Sequence, residues 1–208
     1  YILDSDYRLK YSLKGVKSGN EILNFTGAKG IFVSENGEMY ISDTDNGRVL
    51  KTDLNGVLLK EFTVPDSALI PEGFEFRPMK TAVDKREYVY ILCDGSYYGA
   101  ILYSPEDEFL GFYGSNTTGG GILQAFEIIF NKLFMTNSKL SKSESKLPFQ
   151  ITDLYMDSRN FVYTCTGRTE TDTLQTGQIR RFSPGGIMTE DTGAINFADA
   201  DVITVKGE

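Results

Sequence analysis

The sequence predicts an all-β protein made of repeated antiparallel hairpins. Three observations predict this fold class. Asn36-Gly37 separates two strand-like runs within residues 31–43, which is a strong short-range hairpin signal. The same strand–turn–strand pattern returns at residues 82–91 and 154–164. The chain also has 12% aromatic residues, which favour strands, and 21 glycines, which suit a fold with many turns.

A second hairpin follows each of these three hairpins along the chain. The second hairpins lie at residues 49–59, 101–112 and 179–188. Four short antiparallel strands with a turn between each pair are the repeating unit of a β-propeller blade. The chain holds about four blades' worth of such strands, so we predict a propeller.

One repeat carries a family resemblance. Residues 27–59, GAKGIFVSENGEMYISDTDNGRVLKTDLNGVLL, resemble an NHL repeat in their Gly-Ile start, their Asp-Thr-x-Asn-x-Arg element and their final Asp-x-x-Gly turn. The two weaker copies depart from this pattern, because Cys93 takes the position of Asp43 in one and the Asn-x-Arg element is lost in both. The resemblance implies an NHL-type β-propeller that is part of a roughly six-bladed ring.

The order of the segments extends this resemblance. The chain contains, in order, a good NHL-like blade, a linker, a degenerate blade and a helical insertion. This order resembles that of secreted or surface-attached NHL-repeat proteins of Gram-positive bacteria, which are often associated with carbohydrate ABC transporters. This resemblance implies an extracellular or cell-surface location. It also implies a link to carbohydrate uptake.

The two ends of the chain leave two ring arrangements open. Residues 201–206 match the strand before a hairpin turn, and residues 1–4 match the strand after one. The two ends together would complete a shared blade. We instead expect a partial ring, because closure of NHL repeats with four blades would be unusual.

Charge and residue types exclude several function classes. The net charge is −8, which disfavours nucleic-acid binding because that binding depends on Lys and Arg at phosphates. The chain has no His, so Ser-His-Asp and Cys-His catalysis and the usual zinc sites are excluded within these residues.

No apolar run approaches the roughly 18 residues of a membrane-spanning helix. We predict no cofactor, and we predict that Cys93 and Cys165 are buried free thiols.

The segment from Asp43 to Gly47, DTDNG, superficially resembles a calcium loop. A calcium site needs six to eight oxygen ligands, usually with a bidentate carboxylate further along, and Leu54 stands at that position. We interpret the segment as an inter-strand turn whose Asp and Asn side chains bind the backbone. A metal-dependent propeller enzyme of the lactonase or lyase kind remains the alternative to a non-catalytic protein.

An apolar segment at residues 121–135 predicts a helix within a helical insertion at 119–147. Its apolar side chains follow helical spacing but spread around the cylinder, so part of the surface needs a cover. A second helix at 138–146 is one possible cover, and a docked partner is the other. The predicted contact residues are Phe126, Ile129, Phe130, Leu133 and Phe134.

Three further residues are candidates for partner binding. Tyr97 and Tyr98 follow Asp94 in a loop, where they suit either stacking on a sugar or packing of the loop. Arg48 suits either bidentate binding of a carboxylate or phosphate, or pairing with a neighbouring Asp. The sequence therefore predicts a non-catalytic scaffold that recognises a protein or glycan partner.

Overall fold

The computed structural model describes residues 1–95, 98–114, 150–166, 176–192 and 195–196. These residues form short strands and one 3-10 turn at Thr44–Asn46, and no α-helix lies among them. The predicted helical insertion at 119–147 lies outside the described residues. No helix among those described is long and apolar enough to span a membrane.

Seventeen strands are present in the described part of the chain. In chain order they are β1 Ile2–Leu3, β2 Leu9–Tyr11, β3 Gly15–Ser18, β4 Glu21–Asn24, β5 Gly30–Val33, β6 Met39–Asp43, β7 Arg48–Thr52, β8 Leu58–Phe62, β9 Pro78–Val83, β10 Val89–Cys93, β11 Ala100–Tyr103, β12 Phe109–Tyr113, β13 Ile151–Met156, β14 Val162–Thr166, β15 Thr176–Phe182, β16 Met188–Asp191 and β17 Ile195–Asn196.

The strands form three antiparallel sheets in simple up-and-down order. The first sheet is β5-β6-β7-β8, the second is β9-β10-β11-β12, and the third is β13-β14-β15-β16 with β17 paired to β15. Two separate hairpins, β1-β2 and β3-β4, precede the first sheet. The repeated hairpins and the all-β prediction are therefore confirmed in the described residues.

The hairpin turns share one geometry that explains how they form. A turn begins with Asp or Ser, whose side-chain oxygen accepts a hydrogen bond of 2.8 to 3.2 Å from the N–H four residues later. The fourth residue has a positive φ, which closes a three-residue loop with a bulge. The turns begin at Asp4, Ser34, Asp53, Asp84, Ser104, Asp157 and Ser183.

The start of the chain differs from the prediction. β1 pairs with β2 across the turn that begins at Asp4, so residues 1–4 contain the strand before a turn and not the strand after one. The expectation that the head is the second half of a hairpin is wrong. The Asp-x-Asp similarity to residues 43–45 misled it, because Asp4 belongs to a hairpin turn and Asp43 to a 3-10 turn.

Two compact units make up the chain. One consists of Tyr1–Asp94 with Ile101–Leu110, and the other of Gly95–Ala100 with Gly111–Glu208. In the first unit, β6 is buried at every position because both faces of the first sheet are covered there. Val16 of β3 packs with Ile41 and Leu50 on one face. On the other face, Ser42 Oγ lies 3.1 Å from Thr81 Oγ1 of β9.

In the second unit, one face of the third sheet forms a core. Val162 and Phe182 are buried on this face, and the Phe182 ring lies 5.8 Å from the Tyr113 ring. The Tyr113 hydroxyl donates a hydrogen bond of 2.6 Å to the Ser183 carbonyl. Tyr155 lies on the opposite face and is 66% exposed.

Both cysteines are free thiols, as predicted. Cys93 in β10 is buried, as predicted. Cys165 in β14 is only partly buried, so the prediction of a buried thiol is wrong there, because this face of the third sheet is only partly covered. Burial raises the pKa of the Cys93 thiol to about 12. Cys93 is therefore protonated and poorly reactive at neutral pH.

Candidate functional site

The calcium-like segment is a turn built around a buried carboxylate. Asp43 Oδ1 accepts a hydrogen bond of 2.7 Å from the Thr26 N–H. Asp43 Oδ2 accepts one of 2.8 Å from Asn46 Nδ2 and one of 2.9 Å from Arg48 Nε. Both oxygens accept hydrogen bonds from N–H groups, so this carboxylate connects the 3-10 turn and β7 to the segment that follows β4. The prediction of a turn is confirmed.

Arg48 lies beneath this turn and is mostly buried. Its guanidinium pairs with Asp43 at 2.9 Å and with Glu61 at 3.6 Å. It also donates a hydrogen bond of 3.1 Å to the Asn24 carbonyl at the end of β4. These contacts join the end of the β3-β4 hairpin to the first sheet. The role of Arg48 as a partner contact stays a prediction, and its observed bonds position the loop.

Four charged side chains stand above this base, and we call them the loop-end surface. Arg77 Nη2 lies 2.9 Å from Asp45 Oδ1, and Lys29 Nζ lies 3.5 Å from Asp94 Oδ2. Each of the four side chains is 38–46% exposed. They lie together because β5 and β9 begin at the end of the sheets where β6 and β10 finish.

Gly27 shows how tightly the loop-end surface is built. Its φ is +59°, a left-handed conformation that side chains disfavour. A Cβ atom at this position would overlap the carboxylate of Asp45. The backbone therefore passes directly under Asp45, and the Asp45 N–H donates a hydrogen bond of 3.1 Å to the Thr26 carbonyl.

The other predicted contact residues have different outcomes. Tyr98 is partly buried, and its ring lies 5.5 Å from the Phe112 ring, which favours loop packing at this position. Tyr97 lies outside the described residues. The five apolar residues of the predicted docking helix, Phe126, Ile129, Phe130, Leu133 and Phe134, also lie outside them.

A second feature was not found from the sequence: an exposed row of side chains across the third sheet. Strand register places Tyr155 beside Tyr163, Tyr163 beside Arg181, and Arg181 beside Glu190. We call these four residues the open row. The signal was available, because alignment of the repeats places Tyr155 and Tyr163 where the first copy has Phe32 and Tyr40.

The open row is held in place by its own contacts. The Tyr155 and Tyr163 rings are 6.2 Å apart. Arg181 pairs with Glu190 at 2.6 Å, and its guanidinium lies 5.0 Å from the centre of the Phe161 ring. A planar guanidinium fixed in this way beside exposed aromatic rings is typical of interaction surfaces.

The equivalent row of the first sheet is buried at its centre and exposed at its β8 end. Phe32, Tyr40, Lys51 and Lys60 lie side by side in the same register. Tyr40 is only 2% exposed, and its burial raises the pKa of its hydroxyl. Burial acts to lower the pKa of Lys51, but its hydrogen bond to Glu38 contributes to a net rise.

Comparison with known proteins gives a fold and no family. No family model matches this sequence, and no curated protein matches it. Among the residues that the structure describes, no group of three or more His, Cys, Asp or Glu side chains is arranged to hold a metal ion.

Several solved structures are similar to this chain, and they are β-propeller proteins. An extracellular domain assigned to a hybrid two-component system of B. thetaiotaomicron has 14% identity and a TM-score of 0.50, over 94% of this chain and 21% of that one. Virginiamycin B lyase from Staphylococcus aureus has 12% identity and a TM-score of 0.46, over 80% of this chain and 41% of the lyase. A calcium-binding protein, regucalcin, from Agrobacterium tumefaciens has 14% identity and a TM-score of 0.46, over 80% of this chain and 43% of that protein.

The chain spans less than half of each of these structures. At such low identity the similarity to the extracellular domain concerns the fold alone. With the three antiparallel sheets, it supports an all-β fold of the β-propeller kind.

Proposed function

We propose that this chain is a non-catalytic binding scaffold that recognises a protein or glycan partner, and that the loop-end surface forms part of the contact. One observation carries the proposal. Lys29, Asp45, Arg77 and Asp94 are half exposed on loops, and the buried bonds of Asp43 hold the base of those loops. Binding residues commonly lie on loops that a rigid scaffold positions.

The chemistry of the loop-end surface suits a polar partner. Two cations and two carboxylates stand in ion pairs, so the surface offers both donors and acceptors without a large local charge. The guanidinium of Arg77 provides a planar fork of donors, which binds paired oxygens well. Because the loops are already ordered, little conformational entropy is lost when a partner binds.

The wider assignment is part of the same proposal. We propose an NHL-type propeller that forms part of a roughly six-bladed ring, with an extracellular or cell-surface location and a link to carbohydrate uptake. The NHL-like repeat at residues 27–59 supports it. The segment at 121–135, with Phe126, Ile129, Phe130, Leu133 and Phe134, is a second proposed contact, and Tyr97, Tyr98 and Arg48 remain proposed contacts.

The alternative is a metal-dependent lactonase or lyase of the propeller type. Such an enzyme needs carboxylates that are free to bind a cation. In the described residues the carboxylate of the repeat signature, Asp43, accepts three hydrogen bonds from N–H groups. This use of Asp43 favours the binding scaffold.

The experiment is a binding screen with matched variants. The purified chain is tested against an array of soluble oligosaccharides and against a panel of surface proteins. Arg77→Ala and Asp94→Asn should weaken binding of any ligand found by about tenfold, or about 1.4 kcal/mol. Lys85→Ala is the control, because Lys85 is also half exposed and ion-paired, to Glu35 at 3.5 Å.

Two results would contradict the proposal. The first is unchanged affinity in both loop-end variants. The second is a stoichiometric divalent ion in the purified protein together with hydrolysis or elimination of a lactone that stops when the ion is removed. That second result would establish the enzyme instead.

A further inference from the structure

The loop-end surface is assembled from two sheets. Lys29 precedes β5 and Asp45 follows β6, so both belong to the first sheet. Arg77 precedes β9 and Asp94 follows β10, so both belong to the second sheet. Each ion pair of this surface therefore joins one sheet to the other. The shape of the surface depends on how the second sheet packs on the first.

Two hairpin turns of the second sheet contact the first sheet at the opposite end. In the turn between β9 and β10, Glu87 Oε1 accepts a hydrogen bond of 2.9 Å from Asn36 Nδ2, which lies in the turn between β5 and β6. In the turn between β11 and β12, Asp107 Oδ2 lies 3.1 Å from Lys60 Nζ of β8. We call Glu87 and Asp107 the acidic clasp, because each carboxylate reaches from the second sheet to the first.

Both residues of the acidic clasp take a backbone conformation that suits glycine better. Glu87 has a φ of +68° and Asp107 a φ of +65°, each as the fourth residue of its turn. The two hairpin turns of the first sheet have Gly37 and Gly56 at this position, with φ values of +76° and +77°. Glycine adopts such a φ without steric cost, Asp tolerates it, and Glu does so rarely. The second sheet therefore carries a carboxylate at both positions where glycine would fit the backbone.

Buried contacts join the two sheets between these ends. Ser42 Oγ lies 3.1 Å from Thr81 Oγ1, and the Thr44 hydroxyl donates a hydrogen bond of 2.6 Å to the Pro78 carbonyl. Contacts in one region allow a sheet to rock about them. The acidic clasp adds contacts at the turn end, so it opposes rocking of the second sheet.

We propose that Glu87 and Asp107 are positioning residues, which oppose this rocking and so keep the loop-end surface in its binding geometry. A partner loses more conformational entropy on binding to two sheets that rock than to two sheets that are fixed. The ion pairs of the loop-end surface give weak support, because they are exposed and a bound partner competes for their side chains. The effect on binding rests on the proposed function, whereas the effect on sheet packing does not.

Cys93 reports on the packing between these two sheets. Side chains alternate along a strand, so Cys93 lies on the same face of β10 as Ile91. Ile91 pairs with Thr81, which contacts Ser42 of the first sheet. Cys93 is only 1% exposed, so a reagent reaches the thiol when the sheets move apart. Cys165 lies in the other unit and serves as the internal reference.

The test is the rate at which iodoacetamide alkylates Cys93 in the folded chain at pH 8. The double variant Glu87→Gly with Asp107→Gly should raise this rate about fivefold, because a hydrogen bond and an ion pair between the sheets are lost. The rate at Cys165 should stay the same. Glycine suits both turn positions, so the double variant should keep the circular dichroism spectrum of the wild type.

Two variants test the acidic clasp without placing glycine in its turns. Glu87→Gln keeps an acceptor oxygen for the Asn36 amide, so the Cys93 rate should stay at the wild-type value. Asn36→Ala removes the donor on the first sheet and should raise the rate about threefold. A rise in Asn36→Ala comes from the lost contact, because both turns of the acidic clasp keep their residues.

Two controls match the glycine variants. Asn160→Gly makes the same change at a φ of +64° in a turn of the other unit, and it should leave the Cys93 rate unchanged. Lys85→Ala removes a longer pair between the same two sheets, 3.5 Å to a Glu35 side chain that is 76% exposed. Water screens that pair, so the Cys93 rate should again stay the same.

An unchanged Cys93 rate in the double glycine variant and in Asn36→Ala overturns the inference, whether or not a ligand is known. A ligand of the loop-end surface should bind the double variant about threefold more weakly, and equal affinity would overturn the positioning role. Failure of the proposed function is a different result. It is unchanged affinity in Arg77→Ala and Asp94→Asn, and the Cys93 rate does not enter it.

Discussion

The first and third sheets have the same strand order and the same register but differ in what covers them. In the first sheet Tyr40 is only 2% exposed, and Ser42 on the same face contacts β9. In the third sheet the row through Tyr163 leaves Tyr155 66% exposed. The comparison teaches that one repeat pattern serves as core in one place and as surface in another. The difference comes from the neighbour and not from the strand itself.

The largest expected effect is the loss of the buried Tyr40 ring. Tyr40→Ala should lower the free energy of unfolding by about 3–4 kcal/mol, because a buried ring is replaced by a cavity. Tyr163→Ala should lower it by about 1 kcal/mol at low protein concentration, because that ring already contacts solvent. Urea unfolding measures both. Equal losses would show that the third sheet is covered in solution as the first one is.

The next effect concerns the two Arg–Asp pairs. Arg48 Nε bonds the fully buried Asp43 at 2.9 Å, and Arg180 Nε bonds the more exposed Asp191 at 3.1 Å. Asp43→Asn should lower the free energy of unfolding by about 3 kcal/mol, because the mostly buried Arg48 loses its nearer carboxylate and keeps only Glu61 at 3.6 Å. Asp191→Asn should lower it less, by about 1 kcal/mol, because the Asp191 side chain is 26% exposed and water partly screens its charge, whereas Asp43 is fully buried. Thermal or urea unfolding at two salt concentrations checks the difference.

The smallest effect, for stability up to pH 9, concerns the two thiols. Cys165 should react with iodoacetamide at pH 8 much faster than Cys93, whose pKa burial raises to about 12. The raised pKa of Cys93 also makes the free energy of unfolding depend on pH. The unfolded thiol ionises near its ordinary pKa of 9.0 and the folded one does not, so stability is present below that pH and declines between pH 9 and 12. The loss due to Cys93 should be about 0.4 kcal/mol at pH 9.

Cys93→Ala is the variant that isolates this contribution. It should reduce the decline of unfolding free energy above pH 9, and Cys165→Ala should reduce it less, because Cys165 is more exposed. An alkylation rate at Cys93 equal to that at Cys165 would contradict the burial of β10. The measurement is mass spectrometry of labelled peptides after quenching at intervals.

Much of the fold was predictable because its signals are local. The Asn36-Gly37 and Asn55-Gly56 turns were found correctly, since glycine takes the positive φ of the fourth turn residue without strain. The turn at Asp84 was placed correctly although its fourth residue is Glu87, with a φ of +68°. The β1-β2 hairpin was missed, because residues 4–6 were matched to the Asp-x-Asp of residues 43–45 and not to a hairpin turn.

The candidate site was predictable only in part. The interpretation of residues 43–47 as a turn was correct, because the missing carboxylate further along could be read directly. The inward direction of Arg48 could not be read, since Asn24 and Glu61 become its neighbours only when distant strands meet. The pairs of the loop-end surface, Arg77 with Asp45 and Lys29 with Asp94, join residues 32 and 65 positions apart and leave no local pattern.

The sequence by itself determined the strands, the hairpins and the chemistry of the turns, because each depends on contacts within about five residues. Only the tertiary structure decided which rows of side chains are covered and which charges point inward. Those outcomes depend on packing between segments far apart in the chain, where the same Tyr and Arg residues serve as core or as surface. The burial of Asp43 and the exposure of Tyr155 are therefore properties of the assembled sheets.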